Sequence, residues 1–159
     1  MPTKIYWLHN ANNGARIGIM PRPRGSDWLE EEIIHLKKQK VTHLVSLLEK
    51  EEIRELELSH EEAYCSKHAI TFLHFPIKDR SIPIHPKEFI KRLSANFCEG
   101  ATIAIHCRMG IGRSSIIAGS LLLMNDYKVE DVFDYISRKR GLKVPDTEEQ
   151  IKWLKEGEW

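Results

Sequence analysis

Five short apolar runs along the chain are each bounded by polar or turn-forming residues. They cover residues 4–9, 15–20, 42–48, 70–75 and 101–106. Runs of this length and composition are typical of β-strands, and the turn-forming stretch NANNG joins the first two. The pattern therefore predicts five strands, and the continuous apolar character of the third predicts a buried one.

Apolar residues at helical spacing predict the first helix after the second strand. Leu29, Ile33 and Leu36 share one face of this helix. Asp27 and Glu30 are three residues apart, which is the spacing of an N-terminal capping box. We therefore expect Asp27 to cap a helix that packs its apolar face on the sheet.

The remaining segments predict further helices. The charge-rich segment 49–68 is predicted to be helical and mostly solvated, so that its carboxylates at Glu49–Glu52 are expected on a solvated face. Four later helices are indicated by apolar spacing, by continuous apolar character or by caps. They are a helix begun by Pro86 with Phe89, Leu93 and Phe97; a buried helix at 112–126; a helix with Val129, Val132, Phe133 and Ile136, ended by Gly141; and a last helix with Asp146 and Glu149 at capping-box spacing.

Strands alternate with helices along the first two thirds of the chain, and only helices follow. This order favours an α/β fold with helices on both faces of a sheet and a helical C-terminal half. A length of 159 residues suits one compact domain, and no linker-like stretch divides the chain.

Charge and cysteine content narrow the class of protein. The net charge is +1, so no strong field attracts nucleic acid or a membrane surface, and any anion site must be local. The N-terminus lacks the layout of a secretory signal, and no apolar run is long enough to span a bilayer. Cys65, Cys98 and Cys107 form an odd set without framework spacing, which favours a reducing, cytoplasmic location.

The stretch HCRMGIGRSS, residues 106–115, lies between a predicted strand and a predicted helix. Gly110 and Gly112 allow the loop to turn its amides inward, and such a ring at a helix N-terminus binds an anion of phosphate size. Arg113 can hold two oxygens of the same anion with its planar guanidinium. The same positive field favours the thiolate form of Cys107, so the loop predicts a phosphate site with its own nucleophile.

This stretch resembles the H-C-x5-R-S/T signature of cysteine-dependent protein tyrosine phosphatases. The segments THLVSLLE, FPIKDRSIP and PDTEEQ extend the resemblance from residue 15 to the end, and the chain is most similar to the small, atypical dual-specificity branch. The resemblance implies a phosphatase-like fold with a central, mostly parallel sheet and one catalytic domain over residues 1–159. It also implies a metal-independent phosphomonoesterase that uses no cofactor.

The resemblance assigns a role to each matching residue of the loop. Cys107 would attack phosphorus to give a cysteinyl-phosphate, and Ser114 would donate a hydrogen bond to the sulfur. His106 would orient the loop and help to keep the thiolate ionised. Phosphate would be bound by the Arg113 guanidinium and by the amides of Arg108, Met109, Gly110, Ile111, Gly112 and Arg113.

Asp79, in PIKDRSIP, is the predicted general acid. It follows a strand, lies on a loop stiffened by Pro76 and Pro83, and precedes the nucleophile by 28 residues, as in the family pattern. It would protonate the leaving group and, in the second step, activate water. Gln150 resembles a family glutamine that helps to position this water.

Other charged residues leave alternatives open. Arg22 and Arg24 either flank the pocket and attract an anionic substrate or belong to a plain turn before the helix. Arg108 either adds charge at the edge of the loop, which would favour polyanionic substrates, or points to solvent.

Two further groups are expected to have structural roles. His60, Cys65 and His68 do not complete a metal-binding motif, so we expect no metal. Cys65 or Cys98 could form a protective disulfide with Cys107, but core packing is the favoured role for both.

The expected substrate is a phosphorylated protein or peptide carrying phosphotyrosine, with phosphoserine and phosphothreonine as further candidates, and a monomer is the expected state. Phosphoinositide or inositol phosphate hydrolysis and RNA 5′-triphosphate hydrolysis could use the same loop. The loop lacks the lysines of lipid-directed relatives, and the near-neutral charge disfavours nucleic acid. A non-enzymatic phosphate-binding module is disfavoured because Cys107, Arg113 and Asp79 are all present.

Overall fold

A five-stranded sheet forms the centre of the computed structural model, which describes residues 1–157 and 159. Its strands are β1 (Tyr6–Asn10), β2 (Arg16–Met20), β3 (His43–Ser46), β4 (Thr71–His74) and β5 (Thr102–His106). Each strand overlaps one of the five apolar runs in the sequence. All five predicted strands are therefore confirmed.

The strand order β1-β2-β5-β3-β4 brings the carboxyl ends of several parallel strands to one edge. Only the pairing of β1 with β2 is antiparallel within the described sheet. Met20 of β2 and Ser46 of β3 both lie opposite His106, the last residue of β5. The segments that follow these strands therefore meet around the loop after His106, at the edge where parallel α/β sheets hold their ligands.

The described part of the chain has seven α-helices, and a 3-10 turn at Ser26–Trp28 precedes the first. The helices are α1 (Leu29–Lys38), α2 (Lys50–Glu55), α3 (Glu61–Lys67), α4 (Lys87–Cys98), α5 (Arg113–Leu123), α6 (Val132–Arg140) and α7 (Glu148–Glu156). The region after β5 is thus helical, as the sequence predicts.

Apolar side chains form a cluster on each face of the sheet. Ile103 and Ile105 of β5 join Leu121 and the other buried residues of α4 to α7. Ala104, between them, points to the opposite face and joins the cluster that contains Leu36 of α1. The predicted α/β fold, a mostly parallel sheet flanked by helices on both faces, is confirmed.

Helix α5 is buried along nearly all of its length, from Arg113 to Leu122. This confirms the buried central helix that the continuous apolar run predicts, although the helix ends at Leu123. Since β5 is also buried throughout, the short loop between them is held at both ends by the core. The loop is therefore fixed in position before any ligand binds.

The charge-rich segment 49–68 is helical, but it is divided into α2 and α3 by a turn at which Glu57 has a φ of +57°. Most of the segment is exposed or half-buried, as expected, but the expectation is wrong for two of its glutamates. Glu52 and Glu61 are 8% and 2% exposed, respectively. Both face the sheet edge that carries the loop after β5.

The predicted cap of α7 is wrong by one residue. Thr147 is the N-cap, and its hydroxyl accepts a hydrogen bond from the backbone N–H of Gln150 at 3.2 Å. The Gln150 side chain completes the capping box in the place expected for Glu149. The carboxylate of Asp146 is consequently not used as a cap.

Two smaller expectations at helix ends are also wrong. Asp27 lies in the 3-10 turn and does not cap α1, whose N-cap is Trp28 without a side-chain hydrogen bond. Val129 precedes α6, which begins only at Val132. Gly141 ends α6 in a left-handed conformation, φ +82°, as predicted.

The three cysteines are free thiols in different surroundings. Cys65 is buried in the α1 and α3 cluster, as expected, and this burial, with nearby Glu61 and Glu62, raises its pKa to about 12. Cys98 is exposed, so its predicted core packing is wrong. Among residues 1–157 and 159, no helix has the length and apolar character needed to cross a membrane.

Candidate active site

The loop between β5 and α5 carries the predicted nucleophile. Cys107 directly follows β5 and is 3% exposed. Gly110 has a φ of +70°, and a Cβ there would lie within 2.7 Å of the backbone of Met20 and Pro21. Glycine is required at this position, because a larger residue would be both strained and in collision with the end of β2.

Ser114, in the first turn of α5, lies beside the sulfur. Its Oγ is 3.3 Å from Cys107 Sγ, within hydrogen-bonding distance for sulfur, and the residue is fully buried. A hydroxyl in this position can donate to a thiolate. The structure thus brings Ser114 and Cys107 together, and the role of Ser114 stays a prediction.

The guanidinium of Arg113 is 2% exposed and is held by three groups. Nη1 and Nη2 donate to the two carboxylate oxygens of Glu52 at 2.7 and 2.9 Å. Nη1 also donates to the carbonyl of Ile77 at 2.9 Å, and Nη2 donates to Asp79 at 3.0 Å. Burial opposes the positive charge, but the Glu52 hydrogen bonds and neighbouring negative groups raise the pKa of Arg113 above its usual value.

Glu52, the counter-ion of Arg113, comes from α2 and was not predicted as a site residue. Burial opposes its ionisation, but hydrogen bonds from Arg113 and the backbone of Glu49 hold its pKa below the usual range. It lies among several carboxylates in one helical charge run. The one indication in the sequence was the three-residue spacing of Glu49 and Glu52, which suits a capping box. The structure has this capping box at the start of α2.

Two further arginines brace the outer part of the loop. Arg108 donates to Glu52 at 3.3 Å and to Glu55 at 2.9 Å, so its side chain is directed along α2. Arg140, at the end of α6, donates to the carbonyls of Met109 and Gly110 at 2.9 and 3.1 Å. With those carbonyls turned outward to Arg140, the loop is held from the side of α6. Nothing in the local sequence around Arg140 indicated this role.

His106 forms a buried ion pair that was also not predicted. Its Nε2 lies 2.6 Å from Glu61 of α3, and its Nδ1 lies 3.1 Å from the carbonyl oxygen of Cys107. Since a carbonyl only accepts, Nδ1 carries a proton, and Nε2 donates to the carboxylate. Burial disfavours the charged ring, but the charge and hydrogen bond of Glu61 raise the pKa of His106 above its ordinary 6.5.

Asp79 lies on the loop after β4, where the sequence placed it. Its side chain is 56% exposed, and its Oδ1 accepts a hydrogen bond from Arg113. The carboxylate therefore lies at the mouth of the pocket, in contact with the group that would bind phosphate.

Gln150 lies close to the loop, and its side-chain amide is hydrogen-bonded at both ends. Oε1 accepts from the backbone N–H groups of Asp146 and Thr147 at 3.0 and 3.3 Å, and Nε2 donates to the carbonyl of Ser81 at 3.0 Å. The residue has no exposed surface. Its role in positioning water stays a prediction; Nε2 carries a second N–H besides the one that bonds Ser81.

Neither of the two arginines before α1 lines the cavity that holds Cys107. The backbone N–H of Arg22 donates to the carbonyl of Arg108 at 3.1 Å, which ties the end of β2 to the loop. The guanidinium of Arg24 pairs with Glu32 and stacks on Trp28. Arg24 therefore stabilises the entry to α1.

A cavity of about 130 Å³ lies beside Cys107 and Arg113. Its lining consists of Asp79, Arg80, Cys107, Arg108, Met109, Gly112, Arg113 and Asp146. A nucleophilic sulfur, an anchored guanidinium, a helix N-terminus and carboxylates thus converge on a space of phosphate size. Such an arrangement can bind an oxyanion, attack it and exchange protons with it.

The Glu61–His106 pair generates a pH-dependent stability prediction. Because the folded-state pKa of His106 is raised, the pair stabilises the protein fully below pH 6.5, and this contribution is lost as the pH rises through the folded-state value. Glu61→Gln should therefore lower the free energy of unfolding by about 3 kcal/mol at about pH 6 and by less at about pH 8.5. Urea unfolding of both proteins at the two pH values measures this.

Glu62→Gln provides the matched control, since Glu62 is the exposed neighbour on the same helix. It should leave the free energy of unfolding within about 0.5 kcal/mol of wild type at both pH values. An equal deficit for Glu61→Gln at both pH values would contradict a charged pair at His106.

Known proteins share both the sequence pattern and the fold of this chain. Human protein tyrosine phosphatase type IVA 3 is 28% identical over 92 residues, which cover 55% of this chain and 53% of the human protein. The chain thus spans about half the length of this curated relative.

Two solved structures have the same fold. A kinase associated phosphatase whose catalytic-site cysteine is substituted by serine superposes with a TM-score of 0.87 at 21% identity, covering 98% of this chain and 94% of that one. Tk-PTP in its active form superposes with a TM-score of 0.75 at 24% identity, covering 97% and 95%. At these identities the likeness concerns the fold.

Residues 18–126 match the family model described as "Tc-R-P: Polymorphic toxin system, DSP-PTPase phosphatase". This range begins in β2 and ends after α5, so it includes Glu52, Asp79 and the whole loop from Cys107 to Arg113. The resemblance inferred from the loop signature is confirmed. The chain belongs to this DSP-PTPase phosphatase family, within the cysteine-dependent protein tyrosine phosphatases.

Proposed function

We propose that the protein hydrolyses phosphate monoesters through a cysteinyl-phosphate intermediate on Cys107. One observation carries this proposal: the Cys107 sulfur lies beside the Ser114 hydroxyl in a pocket whose cationic side, Arg113, is anchored by a bidentate ion pair. A structural cysteine in a tight turn would need neither the hydroxyl nor the anchored guanidinium.

Phosphate binds to the edge of the Arg113 guanidinium that Glu52 and the Ile77 carbonyl do not occupy. Nη1 donates to Glu52 and to the Ile77 carbonyl, and Nη2 donates to Glu52 and to exposed Asp79. Nε has no hydrogen-bond partner among the described residues. Nε and Nη2 form one edge of the guanidinium and can hold two phosphate oxygens. The loop amides from Arg108 to Arg113 bind the others, and Nη2 exchanges Asp79 for phosphate.

The first chemical step then follows from the positions of three groups. The Cys107 thiolate attacks phosphorus, the ester bond breaks, and the leaving oxygen takes a proton from Asp79. Because phosphate has replaced it on Nη2, the Asp79 carboxyl is free to turn toward the leaving group. In the second step the Asp79 carboxylate takes a proton from water, the water oxygen bonds to phosphorus, the phosphorus–sulfur bond breaks, and the Ser114 hydroxyl stabilises the departing thiolate.

The substrates we propose are phosphorylated proteins or peptides. The cavity of about 130 Å³ accommodates the phosphate group, and Met109, 59% exposed, is the apolar side chain of its lining that an aromatic ring could contact. Apart from Cys107 and Gly112, the rest of the lining is charged and selects for phosphate rather than for a particular alcohol. This favours action on phosphotyrosine together with phosphoserine and phosphothreonine.

Inositol phosphates are the second candidate substrates. Arg80 and Arg108 line the same cavity, with side chains 63% and 36% exposed, and could bind further phosphate groups. A turnover panel of phosphopeptides, inositol phosphates and triphosphorylated RNA separates these classes. If the wild-type protein prefers inositol phosphates and Arg80→Ala lowers this preference, inositol phosphates replace phosphorylated proteins as the proposed substrates.

We further propose that the chain acts as a monomeric, metal-independent domain over residues 1–159, in a reducing compartment such as the cytoplasm. Free Cys65, Cys98 and Cys107 support a reducing compartment. The guanidinium and amides already supply the positive charge that phosphoryl transfer needs, which supports a mechanism without metal.

Cys107→Ser tests the nucleophile. Turnover of p-nitrophenyl phosphate should fall by more than about 10⁴-fold, because a serine hydroxyl is not ionised in this field, while vanadate or phosphate binding persists. Steady-state kinetics and calorimetric titration measure the two quantities. Cys98→Ser, at the exposed cysteine, is the matched control, and residual turnover near wild type in the Cys107 variant would end this mechanism.

Asp79→Asn tests the general acid. Turnover of phenyl phosphate, a poor leaving group, should fall by about 10²–10⁴-fold, and turnover of p-nitrophenyl phosphate should fall much less because its phenolate leaves without a proton. Asp27→Asn, in the distant 3-10 turn, serves as control. Equal losses on both esters would assign the acid to another residue.

A further inference from the structure

His106, the last residue of β5, lies directly before the nucleophile, and its side chain points to the face of the sheet that packs against α1 and α3. Ala104, two positions earlier, belongs to the apolar cluster on that face, and side chains two apart in a strand share a face. In the neighbouring strands, Met20 and Ser46 lie opposite His106, and both are fully buried. The imidazole therefore lies in the low-dielectric interior, where a charge acts strongly on its neighbours.

Glu61 reaches this imidazole from the first turn of α3. Its Oε2 lies 2.6 Å from Nε2 of His106, while Nδ1 of the same ring lies 3.1 Å from the carbonyl oxygen of Cys107. The side chains of both members of the pair are almost completely buried. One ring thus connects a carboxylate on α3 to the backbone of the nucleophile, and each of its nitrogens donates a hydrogen bond.

Stability alone is a poor explanation for this ion pair. An apolar pair of similar volume would serve the core as well or better, since the desolvation of two charges cancels most of their attraction. The second oxygen of the Glu61 carboxylate, Oε1, is also buried and has no hydrogen-bond partner among the described residues. What distinguishes the pair is its position, because the ring that it charges is hydrogen-bonded to Cys107.

The other ionisable groups around His106 leave its carboxylate partner as the source of its charge. On α5, the Arg113 guanidinium opposes a charge on the ring, and Glu52 of α2 neutralises this guanidinium. On α1, the buried carboxylate of Glu32 is paired with a different guanidinium. On α3, burial and nearby glutamates raise the pKa of Cys65 to about 12, so this residue stays a neutral thiol. The neighbouring positions of β2 and β3 are uncharged.

We propose that Glu61 is a positioning residue that acts on the nucleophile through His106. The carboxylate keeps the ring as an imidazolium, and the charge of the ring increases the fraction of Cys107 present as thiolate. This inference rests on the proposed function, in which that thiolate attacks phosphorus. The ring lies between the carboxylate and the nucleophile, so the pair acts as a dipole whose positive end is directed at Cys107. Without the carboxylate, the buried ring is neutral and this field is lost.

Glu61→Gln tests the inference, because its amide can still bond Nε2 of the ring but carries no charge. The variant is made in a Cys98→Ser background, so that the exposed thiol does not react. Iodoacetamide alkylates thiolates, and mass spectrometry of the Cys107 peptide gives the alkylation rate at each pH. The pH of half-maximal rate, here called the midpoint, should rise by about one unit, a shift typical of one nearby charge.

Steady-state kinetics should show the same shift. For p-nitrophenyl phosphate, kcat/KM of Glu61→Gln should fall by up to about tenfold on the acid side of the pH profile, because a shift of about one unit changes the thiolate fraction about tenfold there. On the alkaline side, where the thiol is ionised in both proteins, the variant should approach wild type. A residue with only a structural role would lower kcat/KM equally at every pH.

Glu62→Gln, at the exposed neighbour on α3, is the matched control and should leave the midpoint unchanged. His106→Asn removes the ring but keeps an N–H near the position of Nδ1, and it should raise the midpoint as Glu61→Gln does. Combining the two substitutions should raise the midpoint no further, because Glu61 acts only through the ring. The double variant buries no charge at this position, so it carries the test if Glu61→Gln alone does not fold.

An unchanged or lowered midpoint in Glu61→Gln or in the double variant would overturn the inference, and so would additive shifts of the two substitutions. Alkylation of buried Cys65 reports unfolding, so the comparison uses conditions in which this thiol stays unmodified. Failure of the proposed function gives a different result, since Cys107 of the wild-type protein would then react with iodoacetamide only at the alkaline pH of an ordinary thiol.

Discussion

The Arg113 guanidinium is a positive charge in the protein interior, and its compensation organises the site. A buried charge is tolerated only when it is paired and hydrogen-bonded. Glu52 from α2, the carbonyl of Ile77 and the carboxylate of Asp79 supply these partners. The segments after β3 and β4 are thereby tied to the loop after β5. The shape of the pocket therefore depends on the Arg113–Glu52 ion pair as much as on the loop after β5.

The parallel sheet explains why these segments can meet. The ends of β2 and β3 lie at the level of His106, so each following segment emerges next to the loop after β5. The buried α5 then directs its N-terminus at the pocket, and Arg140 fixes the outer carbonyls of the loop. Donors fixed in this way need no reorganisation when charge develops on a phosphoryl group, which is the main source of their effect.

The parts of the site that follow a local pattern could be predicted from the sequence. The loop from Cys107 to Arg113 is one, because its glycines, thiol and guanidinium are close in the chain. Glu52 and Glu61 could not be predicted, because their burial depends on Arg113 and His106, which are 61 and 45 residues away. Within a run of glutamates, nothing local distinguishes the two that meet a buried cation.

The predictions of the helix caps were wrong for a different reason. Asp146 and Thr147 are both good N-cap residues, and their neighbours Glu149 and Gln150 both suit the third helical position. The choice was decided by tertiary contacts, since the Gln150 amide also bonds the carbonyl of Ser81. Because the cap is shifted by one residue, the Asp146 carboxylate does not bond the helix N-terminus and lies instead beside Gly112, in the loop after β5.

Three carboxylates around the pocket differ mainly in their exposure to solvent. Glu52, with 11% of its side chain exposed, is locked to Arg113 by two hydrogen bonds and serves as a permanent counter-ion. Asp146 and Asp79, at 27% and 56%, are more exposed, and Asp79 contacts Arg113 through one oxygen only. Protonation of Glu52 would remove the bidentate partner of the buried Arg113 cation, whereas departure of Asp79 leaves Glu52 and the Ile77 carbonyl on the guanidinium.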